Sequence, residues 1–301
     1  MKRLSTPSLK VNTTIVVSVI LLLSTSLAVL FYYSRQSLRQ ESIQDAEQTL
    51  EATVLQVDNV LHNVEQAAGN FYIEMARHLN NPDRMSTYCR KMVECYPSID
   101  GCAIAFKPGF FPDRDLFMAY VHRKENNSPE LITSEMFGER PYIEQAWYLE
   151  PMSTGKACWI NPLKDKNIEK NPIITFSLPI RDRSRECVGI LGIDLSVEML
   201  SQIVLAAKPS PNSYSIMLDT DGSFIIHPEP EKLLGHTVFS LAKKMENPTI
   251  QSAAEAMLAG QTGNRFFSMN GKDYFVFFKP FARSLAPGRT EEDLKGSIGL
   301  V

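Results

Sequence analysis

The pattern of apolar and polar positions divides the chain into three stretches. From Val11 to Tyr33 it carries no charged residue. About 20 apolar residues rising ~1.5 Å each cross a hydrocarbon core of about 30 Å, so this run predicts one membrane helix. Lys2, Arg3 and Lys10 precede it, and Tyr32 and Tyr33 stand where interfacial aromatics belong. The positive flank places residues 1–10 in the cytoplasm, residues 11–33 in the bilayer and everything after Ser34 outside; Arg35 and Arg39 weaken that bias without reversing it. A cleaved signal peptide is the competing reading. The length of the apolar run and the lack of an A-x-A-like site favour the anchor.

The second stretch, residues 34–80, has no proline and reads as one long helix. Ala46, Leu50, Val54, Val57, Leu61, Val64, Ala68, Phe71 and Met75 recur at steps of three and four, the spacing of a heptad seam. Such a stripe must be buried. Three covers are open: a second copy of the helix, giving a homodimer through it, the domain that follows, or both.

In the third stretch the period shortens. Asn80-Asn81-Pro82-Asp83 stops the long helix, and Arg84 to Tyr96 reads as a short one. Strand patterns follow at Ile99–Phe106, Leu116–His122, Lys156–Ile160, Ile173–Ile180 and Val188–Leu195. Thr133–Glu150 interrupts them as a helical or looped insertion, and Val197–Ala207 closes the unit as a helix. Lys208-Pro209-Ser210-Pro211-Asn212 marks a boundary between modules at 81–208 and 209–301. Beyond it come Tyr214–Leu218 and Phe224–Ile226 around Asp221-Gly222, a helix at Thr249–Leu258, and a hairpin of Arg265–Met269 with Tyr274–Phe278 around Asn270-Gly271. Ser297–Val301 reads as a last strand, which the sequence end is expected to cut short. The fold class is α+β, with antiparallel sheets.

Composition narrows the function. Across 301 residues, 31 basic and 34 acidic side chains leave a formal charge of -3, giving no basic surface for nucleic acid. Cys89, Cys95, Cys102, Cys158 and Cys187 lack C-x-x-C spacing, which argues against a structural metal. Cys102 and Cys187 lie in apolar strands and read as buried thiols, while a disulfide involving Cys89, Cys95 or Cys102 can form in an oxidising compartment, its pairing unassigned. No phosphate loop, nucleophile elbow or His-Glu-x-x-His helix is present, and no motif implies a cofactor. A binding module is favoured over a membrane-tethered hydrolase and over a ligand-free scaffold.

A resemblance sharpens this. Gln145-Ala146-Trp147-Tyr148, then Gly155-Lys156 with Trp159 and Pro162, then Ile174–Ile180, then Val188–Leu195 stand in an order and spacing that resemble double Cache sensor domains. Leu218-Asp219-Thr220-Asp221-Gly222 and His227-Pro228 recur where that family's membrane-proximal module begins. The resemblance implies a long helix supporting two tandem PAS-like sheets, a small ligand in the membrane-distal one, and a full receptor with a second membrane helix and a kinase, chemoreceptor or phosphatase output.

It also implies site residues. In the amino-acid-binding branch an Arg two positions before the Trp-Tyr pair grips the ligand carboxylate; Gln145 stands there, so the charged fork is lost. Leu163 replaces an expected Tyr, with Asp165 two residues on. Trp147, Tyr148, Asp165 and Asp194 match the part of the motif that holds an ammonium, through carboxylate charge and cation–π attraction. The candidate ligand residues are therefore Tyr142, Gln145, Trp147, Tyr148, Asp165 and Asp194, which leave room for a cationic or amine-bearing ligand. Other readings stand beside these. Asp194 can be a turn or helix-capping acid, Trp147 and Tyr148 core filling, Asp165 a solvated loop residue, and His227 a hydrogen-bonded strand residue.

Overall fold

The computed structural model describes residues 7–124, 129–132, 136–137, 140–160, 173–219, 221–233, 236–269, 271–281 and 296–301. Its longest element is helix α1 (Pro7–Met75). The chain divides into two compact units, Met1–Gln48 and Thr49–Val301.

In the first unit the apolar run lies on the surface all round. Leu22, Leu23, Leu27 and Leu30 are between 64% and 72% exposed, which in water would be costly and in a bilayer is ordinary. This is one helix long and apolar enough to cross a membrane among the described residues. The Thr25 hydroxyl donates to the carbonyl oxygens of Leu21 (2.8 Å) and Leu22 (3.0 Å), so its polar group needs no water.

In the second unit the three-and-four stripe is decided. Leu50, Val54, Val57, Leu61, Val64, Ala68, Phe71 and Met75 are all buried by the chain's own atoms. The stripe is therefore a core face and not an open seam for a second copy. Leu55 and Ile73, on the other side of the helix, remain exposed.

A 3-10 turn (Ala76–His78) ends α1, and α2 (Pro82–Cys95) starts at Asn81, whose side chain accepts from the Arg84 N–H at 3.3 Å. The far end of α2 is closed by Arg123, whose guanidinium donates to the carbonyls of Val93, Tyr96 and Ile99. A cation on the last carbonyls of a helix also suits its dipole.

The first sheet contains β1 (Ile99–Phe106), β2 (Phe117–Arg123), β3 (Pro129–Ile132), β6 (Cys158–Ile160), β7 (Ile173–Arg181) and β8 (Cys187–Ser196). Its order is β3-β2-β1-β8-β7-β6, with every pairing antiparallel. Between β3 and β6 lie a small hairpin, β4 (Met136–Phe137) with β5 (Arg140–Pro141), a 3-10 turn (Tyr142–Glu144) and α3 (Ala146–Thr154). Helices α1 and α2 cover one sheet face and α3 the other, so the strands are buried on both sides. This explains near-continuous apolar strings where alternation would mark a half-wet sheet.

After α4 (Val197–Ala206) the second sheet has the order β10-β9-β13-β12-β11, again antiparallel. Its strands are β9 (Ser215–Asp219), β10 (Phe224–Ile226), β11 (Gly263–Met269), β12 (Lys272–Phe281) and β13 (Gly296–Leu300). Helices α5 (Val238–Lys244) and α6 (Pro248–Leu258) bring Val238, Ala253, Ala254 and Met257 onto Ile216, Leu218, Val276 and Phe278. The expected last strand is central, bonded to both β9 and β12. Val301 and Tyr214 exchange backbone hydrogen bonds at 2.8 and 2.9 Å, continuing the ladder.

His227 lies past β10 with its Nδ1 accepting the Glu229 N–H at 2.9 Å and its ring edge-on to Phe224. Burial, then Lys232, lowers its pKa below the usual value. A depressed histidine favours the neutral folded form. Its contribution is present above the unfolded pKa of about 6.5 and fades as pH falls through the lower folded value. The thermal midpoint should drop between pH 7 and pH 5, and His227→Asn, which keeps an acceptor, should flatten that part of the profile. Calorimetry of both proteins across this range tests it.

Candidate functional site

Alternation places a particular set of side chains on the α3 side of the first sheet. Asp194 on β8 lies directly opposite Thr175 on β7 and Gly101 on β1. It is 6% exposed and in mid-sheet, and the cap of α4 is Ser196, which accepts from the Glu198 N–H. Asp194 is thus no capping acid. Its Oδ1 accepts from the Thr175 hydroxyl at 2.7 Å and its Oδ2 from the Tyr120 hydroxyl at 2.9 Å. Two hydroxyl donors, one on each oxygen, fix the orientation of the carboxylate.

Glycine makes this arrangement fit. Tyr120 comes from β2 and reaches Asp194 across β1 at Gly101. A β-carbon there would lie 2.6 Å from Asp194 Oδ2 and 3.0 Å from the Tyr120 oxygen. One step along β8, a β-carbon on Gly192 would meet the Trp147 ring at 3.2 Å. Trp147 is partly exposed, its indole standing on the strand next to the carboxylate.

The α3 residues divide by role. Tyr142 has no exposed surface; its hydroxyl donates to the Phe106 carbonyl (2.6 Å) and accepts the Phe117 N–H (3.2 Å). Expected on the pocket wall, Tyr142 instead anchors the insertion to β1 and β2. Its ring meets Tyr148 edge-on at 5.1 Å, and both join Ala103, Ala105, Met118 and Ile190 in one apolar cluster. Tyr148 is 4% exposed, and burial, with Tyr142 and Cys187 nearby, pushes its phenol well above the usual value, so it is a neutral hydroxyl. Gln145, 6% exposed, precedes α3; its carbonyl accepts from Tyr148 and Leu149 N–H, and its side chain makes no cap bond. Asp165 and Leu163 lie outside the described residues.

Two buried hydroxyls on this side, Tyr148 and Ser177, have no hydrogen-bond partner among the described residues. Ser177 is fully buried and sits directly opposite Gly192, beside Trp147. Tyr120, Thr175 and Ser177 escaped the sequence reading. Their sequence signal is polarity at alternate positions inside apolar strands; that they share the sheet face of Asp194 follows from strand pairing.

The other sheet face carries the connection to α1. Trp159 pairs with Phe176, and its indole N–H donates to Glu65 at 2.9 Å. The Arg181 N–H donates to the Tyr72 hydroxyl at 3.0 Å. Strand β7 thus presents Thr175 and Ser177 to one side while Phe176 and Arg181 engage the helix side.

These residues lie on a sheet with α3 on one face and a long helix on the other, a fold that known proteins share. A family model described as Cache domain matches residues 34–290. The chain belongs to the Cache domain family. Chains of the same fold include domains of chemoreceptors and histidine kinases.

Solved structures carry the same fold as this Cache chain. The extracellular domain of soHK1S-Z6, assigned as a histidine kinase, is 18% identical with a TM-score of 0.67, covering 89% of this chain and 96% of that one. The periplasmic sensory domain of the Campylobacter jejuni chemoreceptor Tlp1 is 13% identical with a TM-score of 0.65, covering 83% and 91%. The ligand-binding domain of the Pseudomonas aeruginosa amino acid chemoreceptor PctB, in complex with L-Arg, is 15% identical with a TM-score of 0.57, covering 84% and 92%. By sequence, PctB is 22% identical over 162 residues, 52% of this chain and 25% of that receptor. The match therefore spans about a quarter of that receptor's length.

Proposed function

We propose that this Cache chain is the extracytoplasmic, ligand-binding part of a bacterial inner-membrane receptor, and that its ligand is a small amine held between the first sheet and α3. The observation that carries the reading is Asp194, a buried carboxylate oriented by the Tyr120 and Thr175 hydroxyls beside a partly exposed indole. A fixed carboxylate with an aromatic face beside it matches an ammonium in charge and in quadrupole. Trp147 supplies the face, Ser177 and Tyr148 supply neutral hydroxyls, and Gln145 takes the place of a guanidinium. With no guanidinium at position 145, a carboxylate on the ligand gains no charge-assisted fork there.

Signalling follows from β7. A ligand that draws Trp147 and α3 toward the floor loads Thr175 and Ser177, and the same strand bears on α1 through Phe176, Trp159 and Arg181. Ligand affinity must differ between two settings of this contact for a signal to pass. The receptor's output is a kinase, chemoreceptor or phosphatase module, and it works as a homodimer whose interface uses surfaces other than the buried stripe of α1.

The test is a thermal-shift screen of the detergent-solubilised chain against amines, amino acids and organic acids. Binding stabilises by RT ln(1 + [L]/Kd), about 2.7 kcal/mol at 100-fold excess over Kd. Shifts confined to amine-bearing compounds are expected. A folded protein shifted only by organic acids, or by nothing, sinks the reading.

A further inference from the structure

Helix α3 is held at both ends, and the two holds differ. At its entry Tyr142 is buried and bonded to the Phe106 carbonyl and the Phe117 N–H, a fixed point on β1 and β2. At its exit the helix ends on Gly155, whose φ of +65° is the left-handed form of a helix C-terminus and whose N–H returns to the Pro151 carbonyl. The Gly155 carbonyl then accepts from Arg181 Nη2 at 2.6 Å. Space there is tight: a β-carbon on Gly155 would lie 3.0 Å from that nitrogen.

Arg181 is the last residue of β7, where several contacts meet. Its Nη1 donates to the Arg185 carbonyl at 2.8 Å, in the turn to β8 where Arg185 takes a φ of +68°. Its backbone N–H donates to the Tyr72 hydroxyl of α1 at 3.0 Å. Its register partner Cys187 touches the Met152 sulfur of α3 at 3.3 Å. A planar guanidinium holds the two carbonyls in one rigid fork, which a single ammonium does not reproduce. One residue thus grips α3 with its side chain and α1 with its backbone.

We propose that Arg181 is a positioning residue that couples α3 to α1. With Tyr142 as the fulcrum, Trp147 lies near the fixed end and Gly155 about 12 Å further along, at ~1.5 Å per residue. A small shift of the indole over Gly192 therefore becomes a larger one at the Gly155 carbonyl. The fork passes it to the end of β7, and the Arg181 N–H passes it to Tyr72. This route runs through the exit of α3 and not through the hydroxyls beneath it. Its sensory meaning rests on the reading of α3 as the cover of an amine site, and Arg181 acts through the helix without touching the ligand.

The test needs no ligand, so it stands apart from the amine screen. Hydrogen exchange of the full detergent-solubilised chain, read by mass spectrometry, follows the α3 amides at residues 152–155. Tyr72→Phe removes only a hydroxyl on α1. It should speed exchange at those amides by roughly two- to tenfold, the loss of one hydrogen bond of ordinary strength. In an Arg181→Ala background, where exchange is already faster, Tyr72→Phe should add nothing. Arg181→Lys keeps the charge, loses the fork and should behave as Arg181→Ala does. The proposal is overturned by wild-type exchange in Tyr72→Phe, by an undiminished Tyr72→Phe effect without Arg181, or by wild-type exchange in Arg181→Lys. Coupling without any amine shift removes the ligand reading alone, and amine shifts without coupling remove this inference alone.

Discussion

Replacing Asp194 with Ala is expected to abolish the thermal shift produced by an amine ligand, lowering affinity by about 30- to 1000-fold. That range corresponds to about 2–4 kcal/mol for removing one member of a desolvated, hydrogen-bonded charge pair. The carboxylate is 6% exposed and held at 2.7 and 2.9 Å by Thr175 and Tyr120. Its loss also leaves those two hydroxyls short of an acceptor, so the ligand-free protein should lose about 1–3 kcal/mol of stability. Asp194→Asn separates the effects. The amide keeps one acceptor oxygen and the shape but removes the charge. Calorimetric titration of an amine identified in the screen should show Asn close to Ala in affinity and closer to wild type in stability. An Asn variant that binds as wild type does would mean that Asp194 serves the sheet and not the ligand.

The periodicity argument worked wherever burial alone decides secondary structure. Ile99–Phe106 and Phe224–Ile226 have the predicted limits, and the other predicted strands differ by a few residues at their ends. It missed Pro129–Ile132, the Met136–Phe137 and Arg140–Pro141 hairpin, and the helix Val238–Lys244. These are short elements stabilised by a neighbouring strand or by a capping box, Thr237 with Ser240, in place of a long apolar repeat. At the site, the resemblance led to Trp147 and Asp194, but could not say that Tyr142 would spend its hydroxyl on the Phe106 and Phe117 backbone. Nor could it find Thr175 and Tyr120, because cross-strand register, which brings them to one carboxylate, is set by pairing partners far apart in sequence.

The same distinction between what is buried and what buries it governs α1. A heptad stripe shows that one face is hidden, not whether a second copy or the chain's own sheets hide it. Here the sheets and α2 supply the cover. Trp159 bonds Glu65, Arg181 bonds Tyr72, the Phe71 ring meets Tyr88 edge-on at 5.6 Å, and Lys279 pairs with Glu51 from the second sheet. Between Glu51 and Tyr72 this one helix thus takes contacts from both sheets. That makes it a shared core element, so its position cannot change without repacking both modules.

Leu61→Ala measures that directly. Leu61 has no exposed surface, and truncating a fully buried leucine costs about 2–5 kcal/mol through lost transfer energy and the cavity left behind. For a domain of this size the thermal midpoint should fall by roughly 5–15 °C. Because the cover is intramolecular, the loss should be the same at protein concentrations tenfold apart. Leu55→Ala, 53% exposed on the opposite side, should change stability by less than about 0.5 kcal/mol. Circular dichroism melts of the detergent-solubilised chain, with its mass read by light scattering, decide between the two covers. If Leu61→Ala halves the mass while leaving the monomer's melting unchanged, the stripe is a dimer seam. If it lowers the midpoint without a concentration dependence, α1 is core, and a ligand signal must travel as a shift of the sheets along a helix that they jointly hold.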